Sequence, residues 1–145
     1  MAKVNMLRIL LFLIAFSFSA NVYSQMSYTP PKGSKERKEI MDYLRTLYTG
    51  GADDDCNLFK VNHLKKNTEW AVYSVTSVNR KGEMCGVEFI WGILQKRNGK
   101  WKDINWEEGE EFEDELEPLD FPTRNSRVAK LIARKFKGCS LDLFP

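Results

Sequence analysis

The dipeptide Asn98-Gly99 is the feature that most restricts what this chain can fold into. Both residues tolerate a positive φ, which the tight two-residue turn of an antiparallel hairpin requires. Apolar and polar residues alternate before the dipeptide, and the segment after it has apolar residues at Ile104 and Trp106. Such alternation is typical of strands with one buried face. The dipeptide therefore predicts a β-hairpin, and with it a sheet.

Turn-forming residues divide the centre of the chain into four strand candidates. The predicted strands are residues 57–64, 70–78, 85–95 and 100–106. In the first strand, Phe59, Val61 and His63 have the same parity, so we expect them on one face. Gly92, in the middle of the third strand, predicts a bulge or a bend, because glycine weakens a flat strand.

Two amphipathic helices flank the predicted sheet. The first covers residues 35–48, with Ser34 placed to cap it and Gly50-Gly51 beyond its end. The second covers residues 124–137, and its polar side is basic throughout. We expect this second helix to dock on the sheet, because one helix leaves part of a sheet uncovered. The alternative is a helix that lies on a membrane surface.

This order of elements indicates an α+β domain with two layers. The N-terminal helix packs on a curved four-stranded antiparallel meander, and a C-terminal helix is added. The single domain would span residues 34–145, after an extended leader at residues 25–33. An acidic connection at residues 107–120 joins the sheet to the second helix.

Residues 1–24 have the pattern of a secretory signal peptide. Lys3 and Arg8 precede the apolar run 9–16, which is shorter than the roughly 20 residues that span a bilayer. Small residues follow, which predicts cleavage after Ser24. We therefore expect a secreted or periplasmic protein with no stable membrane anchor. An uncleaved N-terminal anchor is the alternative.

Cleavage of the signal would change the charge of the protein. The chain has 22 Lys and Arg against 20 Asp and Glu, and the signal contains two of the basic residues and none of the acidic ones. The mature chain would then have no net charge. A neutral exported protein has no general electrostatic attraction to nucleic acid, so we expect an unidentified protein or peptide partner instead.

Three cysteines, Cys56, Cys85 and Cys139, allow one disulfide and leave one free thiol. The starts of strands one and three would be about 9–10 Å apart, whereas a disulfide needs Cα atoms within about 7 Å. A Cys56–Cys85 bond is thus disfavoured unless Cys56 lies in the loop. A bond from Cys139 to one of the other two would fasten the terminal helix to the sheet.

The chain has no familiar catalytic set. His63 is its only histidine, no G-x-S-x-G motif is present, and the dispersed cysteines lack the spacing of a zinc site. We therefore predict no metal, no cofactor and no enzymatic activity, and a structural role for His63. The alternative is a ligand pocket beneath the first helix, lined by Phe89, Trp91 and His63.

The acidic connection contains nine acidic residues in fourteen. Internal pairing with the basic second helix is one explanation, although each exposed pair contributes only about 0–1 kcal/mol. The other is an acidic patch that faces a partner. Its members would be Glu110, Glu111, Glu113, Asp114 and Glu115.

Several segments resemble a group of small exported bacterial domains. KGSKERKEIMDYLR at residues 32–45 is similar to their opening helix, which follows a proline. FKVNHL at 59–64 and WAVY at 70–73 are similar to the next two strands, and GKW at 99–101 to the start of the last strand. The resemblance covers about residues 31–106 and implies an NTF2-like or cystatin-like α+β fold. The group has no defined activity, so the resemblance implies no functional residues.

The sequence thus favours an exported, non-catalytic domain that binds a protein or peptide through its sheet and charged tail. The second interpretation is a pocket of NTF2-like type that binds a small ligand or acts as an enzyme, with an acidic residue as the base.

Overall fold

A computed structural model of the chain describes residues 26–48, 56, 58–85, 89–107 and 120–145. Within these residues there are two α-helices, four strands and a short 3-10 helix at Leu141–Leu143. The elements are α1 (Lys35–Tyr48), β1 (Leu58–Lys66), β2 (Trp70–Val78), β3 (Ile90–Arg97), β4 (Lys100–Asp103) and α2 (Arg127–Lys135). The strands form one antiparallel sheet in the order β1-β2-β3-β4. The predicted α+β class is confirmed.

The hairpin and the first helix form where local sequence predicts them. Asn98 and Gly99 have φ values of 51° and 75°, as the tight turn between β3 and β4 requires. The Ser34 hydroxyl accepts a hydrogen bond of 3.2 Å from the backbone N–H of Arg37 and so caps α1. The bounds of α1 and β2 agree with the prediction.

Other boundaries differ from the predicted ones. Regular pairing of β3 begins at Ile90 rather than at residue 85, and β4 ends at Asp103 rather than at residue 106. The second helix is shorter than residues 124–137, because Ser126 caps it. The Ser126 side chain accepts a hydrogen bond from the N–H of Ala129 at 3.1 Å.

Helices cover both faces of the sheet, so the domain has three layers and not the two predicted. On the α1 face, Ile40 and Leu44 of the helix pack with Tyr73, Leu94 and other side chains of the sheet, and all four of these residues are fully buried. A filled core of this kind accounts for the position of α1 by apolar burial alone.

The opposite face, the α2 face, is covered by α2 and by the C-terminal tail, which is residues 136–145. Ile132 of α2 and Phe144 of the tail are fully buried against Val72 and Ile93. The backbone N–H of Arg124 donates to the backbone oxygen of Pro145 at 2.7 Å. This bond holds the end of the tail next to the residues that precede α2. The tail is therefore part of the core, a role that its sequence did not predict.

The irregularity of the sheet lies in β1 and not at Gly92. The pairing of β1 with β2 shifts between Val61 and His63, whereas β3 pairs with β2 without a shift through Gly92. Gly92 instead accommodates Tyr73, since a Cβ at this position would lie 2.6 Å from the phenol oxygen. The glycine is thus explained by a close side-chain approach.

The disulfide joins Cys56 to Cys85, with Cα atoms 5.9 Å apart, and Cys139 is a buried free thiol. The predicted bond to Cys139 is wrong. A separation of about 9–10 Å would hold if both cysteines began regular strands, but both lie outside them. The carbonyl of Cys56 accepts from the Ser77 hydroxyl, and the N–H of Cys85 donates to the Ser77 carbonyl, so both cysteines meet at the end of β2.

Candidate functional site

His63 and Trp91 both contact Phe121, and they do so on the α2 face. The Phe121 ring lies 5.1 Å from the ring of His63 and 5.8 Å from that of Trp91, and Trp106 stacks on Trp91 at 4.6 Å. Their predicted position beneath α1 is therefore wrong, because that space is filled by the α1-face core. Their role in ligand binding stays a prediction.

The bulge in β1 is the reason why His63 changes face. Val61 packs on the α1 face, while Asn62, the extra residue, bonds through its side-chain amide to the Thr76 hydroxyl at 2.8 Å. Thr76 has the parity of Val72, so Asn62 and His63 both point to the α2 face. Phe59 and Val61 keep their predicted common face, and His63 does not share it.

His63 holds the C-terminal tail against β1. Its Nε2–H donates to the carbonyl of Leu143 at 2.7 Å, since a carbonyl can only accept. Burial lowers the pKa of the imidazole, and the bond to Leu143 opposes this shift only in part. A half-buried imidazole with this partner has the structural role that the sequence favoured.

Phe89, the third residue of the predicted pocket, lies one position before β3 and is half-buried. The predicted acidic patch at Glu110, Glu111, Glu113, Asp114 and Glu115 lies outside the described residues. The residues on either side of the acidic connection are described. Trp106 and Phe121 both contact Trp91, so the connection leaves and returns at one aromatic cluster.

A surface groove between α1 and β1 is the strongest candidate site, and we call it the basic groove. Its volume is about 380 Å³, which is in the range of small binding sites. Its lining residues are Lys32, Gly33, Ser34, Arg37, Lys38, Met41, Arg45, Phe59 and Val61. Of these described residues, four are cations and none is an acid, whereas Met41, Phe59 and Val61 supply an apolar surface.

Three of the four cations of the basic groove are held in place by hydrogen bonds to the leader or to α1. Arg37 donates to the Pro30 carbonyl at 3.1 Å, and Lys38 and Arg45 both bond to the Asp42 carboxylate. The hydrogen bond from Lys38 lowers the pKa of Asp42, which therefore stays charged. No described residue forms an ion pair with Lys32. Asp42 is set against Lys32, Arg37 and Lys38, which leaves this described part of the groove positive.

The basic groove borders an edge of the sheet. β1 is the first strand of the order, and among the described residues only Tyr28 pairs with its outer side. The backbones of Tyr28 and Lys66 exchange hydrogen bonds of 2.8 and 2.9 Å. This edge therefore already accepts an extended segment at Lys66, at the end of β1 away from the groove residues Phe59 and Val61.

A tyrosine cluster, Tyr43, Tyr48 and Tyr73, lies on the α1 face, and Tyr48 contacts Phe59 of the basic groove. The hydroxyls of Tyr48 and Tyr73 are 2.7 Å apart, and the Tyr43 hydroxyl accepts from the backbone N–H of Asp103 at 2.8 Å. Burial raises the pKa of the Asp103 carboxyl, and burial also raises that of the Tyr73 phenol. A second groove of about 400 Å³ is lined in part by Tyr43.

Within the described ranges, no helix could cross a membrane and no group of three or more His, Cys, Asp or Glu could hold a metal ion. No protein-family model matches the chain, and no match was found among curated proteins or solved structures.

Sequence reasoning missed the basic groove, although part of its signal was present. Arg37, Lys38, Met41 and Arg45 follow at spacings of three and four, which places them on neighbouring parts of one helix side. What the sequence did not show is that β1 lies beside this side of the helix.

Proposed function

We propose that this protein is an exported, non-catalytic domain that binds a protein or peptide partner. The observation that carries the proposal is the basic groove, an open site at a strand edge whose described lining residues include four cations and an apolar surface. The sheet itself is covered by its own helices on both faces. A partner would therefore bind at the surface and not in the interior.

Export is supported by two independent features. Residues 1–24 have the pattern of a signal peptide that is cleaved after Ser24. The Cys56–Cys85 bond is compatible with an oxidising compartment outside the cytoplasm, where disulfides form and persist. Intact-mass measurement of the protein from its own host should give a chain that begins at Gln25. Retention of residues 1–24 would contradict a cleaved signal.

The binding function can be tested with site-specific photo-crosslinking in the native host. A photoreactive residue in place of Lys38 should trap one protein or peptide, whereas the same residue in place of Lys130 on α2 should trap little. Both positions are exposed lysines, so the comparison controls for non-specific crosslinking. If neither these nor other surface positions trap a partner above background, the binding function is wrong.

A small-ligand or enzymatic pocket is the second candidate, and Asp103 is the observation that favours it. Its carboxyl has a raised pKa and its charge acts on Tyr48 and Tyr73, while its backbone N–H bonds to Tyr43; a carboxyl of raised pKa is suited to a general base. A ligand screen followed by NMR would test it. Binding shifts around Asp103 that disappear in Asp103→Asn would favour the pocket over the binding domain.

A further inference from the structure

The outer edge of β1 has peptide groups available next to the basic groove. Lys66 directs its N–H and C=O outward to Tyr28. Hydrogen-bonding groups alternate between the two sides of a strand, and a bulge shifts the alternation by one residue. Counting back from Lys66 along β1 and through the bulge, the other residues whose N–H and C=O point outward are Leu64, Val61 and Phe59. Two of these three residues line the basic groove.

The leader covers this edge only at its far end. After Tyr28 the leader reaches Pro30 and Pro31, which have no N–H to donate to a strand. It then turns at Lys32 and Gly33 into α1, with Gly33 at a φ of 81° and the Ser34 N–H bonded to the Pro31 carbonyl at 3.1 Å. Among the described residues, none pairs with the outer edge at Val61 and Phe59, which lies beyond the point where the leader turns away.

The positive charge of the basic groove determines which kind of segment could pair with this edge as an added strand. An added strand at Val61 and Phe59 would place side chains into the basic groove, where Lys32, Arg37 and Lys38 favour carboxylates. The apolar surface of the groove would receive an aliphatic or aromatic side chain from the same strand. A free phosphate or a lipid headgroup would use the cations but neither the strand edge nor the apolar surface.

We propose that the outer edge of β1 binds an acidic, extended peptide segment of a partner protein as an added strand. Its backbone pairs with Val61 and Phe59, an apolar side chain rests on Met41, and its acidic side chains lie near the cations of the basic groove. This proposal rests on the proposed binding function and names its site and the chemistry of the partner.

The probe for a direct test is a short labelled peptide that alternates glutamate with valine. Its binding to the mature chain is measured by fluorescence anisotropy. A peptide with the same sequence and N-methylated backbone amides is the first control, because it keeps the charges but cannot pair as a strand. We expect the unmodified peptide to bind at least about tenfold more tightly and to bind less well as salt rises.

Matched charge reversals locate the site. The double variant Lys32→Glu/Lys38→Glu should weaken binding about tenfold or more, since both positions face the groove. Lys130→Glu/Lys137→Glu makes the same charge change at exposed positions near α2 and should leave binding nearly unchanged. Circular dichroism of both double variants checks that the fold is kept, and the N-methyl control needs no variant at all.

The possible results separate this inference from the broader function. Binding that N-methylation does not weaken, or that only the α2 reversal weakens, overturns strand addition at β1 while a partner trapped in the native host still supports the binding domain. Dimerisation that the Lys32→Glu/Lys38→Glu pair abolishes would assign the edge to a second copy and overturn the proposal. So would a crosslink from the groove to residues 107–120 of the same chain.

Discussion

The contact between Gly92 and Tyr73 allows a sharp test of the α1-face core. An alanine Cβ at position 92 would lie 2.6 Å from the Tyr73 hydroxyl oxygen and 2.9 Å from the ring carbon that carries it. Ordinary contacts begin near 3.4 Å, so the ring must move by several tenths of an ångström. Tyr73 is fully buried and its hydroxyl is bonded to that of Tyr48, so it has little room to move.

Overpacking of this kind costs about 1–3 kcal/mol. The loss of backbone freedom in the unfolded chain would offset about 0.4–1 kcal/mol of this, because Gly92 lies in a regular strand that alanine tolerates. We therefore expect Gly92→Ala to lower the free energy of unfolding by about 1–2 kcal/mol. Urea denaturation of the oxidised mature chain, followed by tryptophan fluorescence, measures this quantity.

A double-mutant cycle with Tyr73→Phe shows whether the hydroxyl is the cause. Tyr73→Phe removes the closest atom, so Gly92→Ala should cost at least about 0.5 kcal/mol less in that background than in the wild type. Tyr73→Phe alone should cost about 1 kcal/mol through the lost bond to Tyr48. An equal cost of Gly92→Ala in both backgrounds, or a stabilising effect in the wild type, would refute the packing argument.

Three further predictions concern other parts of the fold. The disulfide closes a sequence separation of 29 residues, so Cys56→Ser/Cys85→Ser should lower the free energy of unfolding by about 3–4 kcal/mol; a urea titration that shows less than about 1 kcal/mol would contradict it. Burial raises the pKa of the Cys139 thiol to about 12, so this thiol should react with a thiol reagent only after unfolding, and rapid reaction of the native protein would place it elsewhere. Because burial lowers the pKa of His63 in the folded state, the unfolded state binds more protons. Stability should therefore fall as the pH drops below the unfolded value of about 6.5, and His63→Gln should flatten this slope in denaturation curves between about pH 7 and 5.5. An unchanged slope would show that other groups cause it.

The sequence predicted those elements whose information is local. Ser34 and the spacing of apolar residues define α1, and Asn98-Gly99 defines the hairpin, so both form where expected. The face of His63 could not be predicted in this way. It depends on a bulge whose extra residue, Asn62, bonds to Thr76 on the neighbouring strand, and no short pattern encodes that pairing.

The C-terminal tail and the disulfide were missed for a related reason. Leu143 and Phe144 are fully buried, but a short 3-10 segment has too few residues to show a period in the sequence. The expected distance between Cys56 and Cys85 depends on where β3 begins, and strand ends are the least predictable part of an element. Predicting the basic groove requires both local and long-range information. The spacing of residues on α1 is visible in the sequence, whereas the position of β1 beside the helix is not.

The two edges of the sheet differ in how they are protected from association. β4 is four residues long and carries Lys100 and Lys102, and short charged strands are poor templates for pairing. β1 is nine residues long, and the leader covers it only beside Lys66. Two copies joined through the part of β1 that no described residue pairs with would bring their basic grooves together, which like charges oppose. The same charges attract an acidic strand, so they both limit self-association and select the partner that this edge can bind.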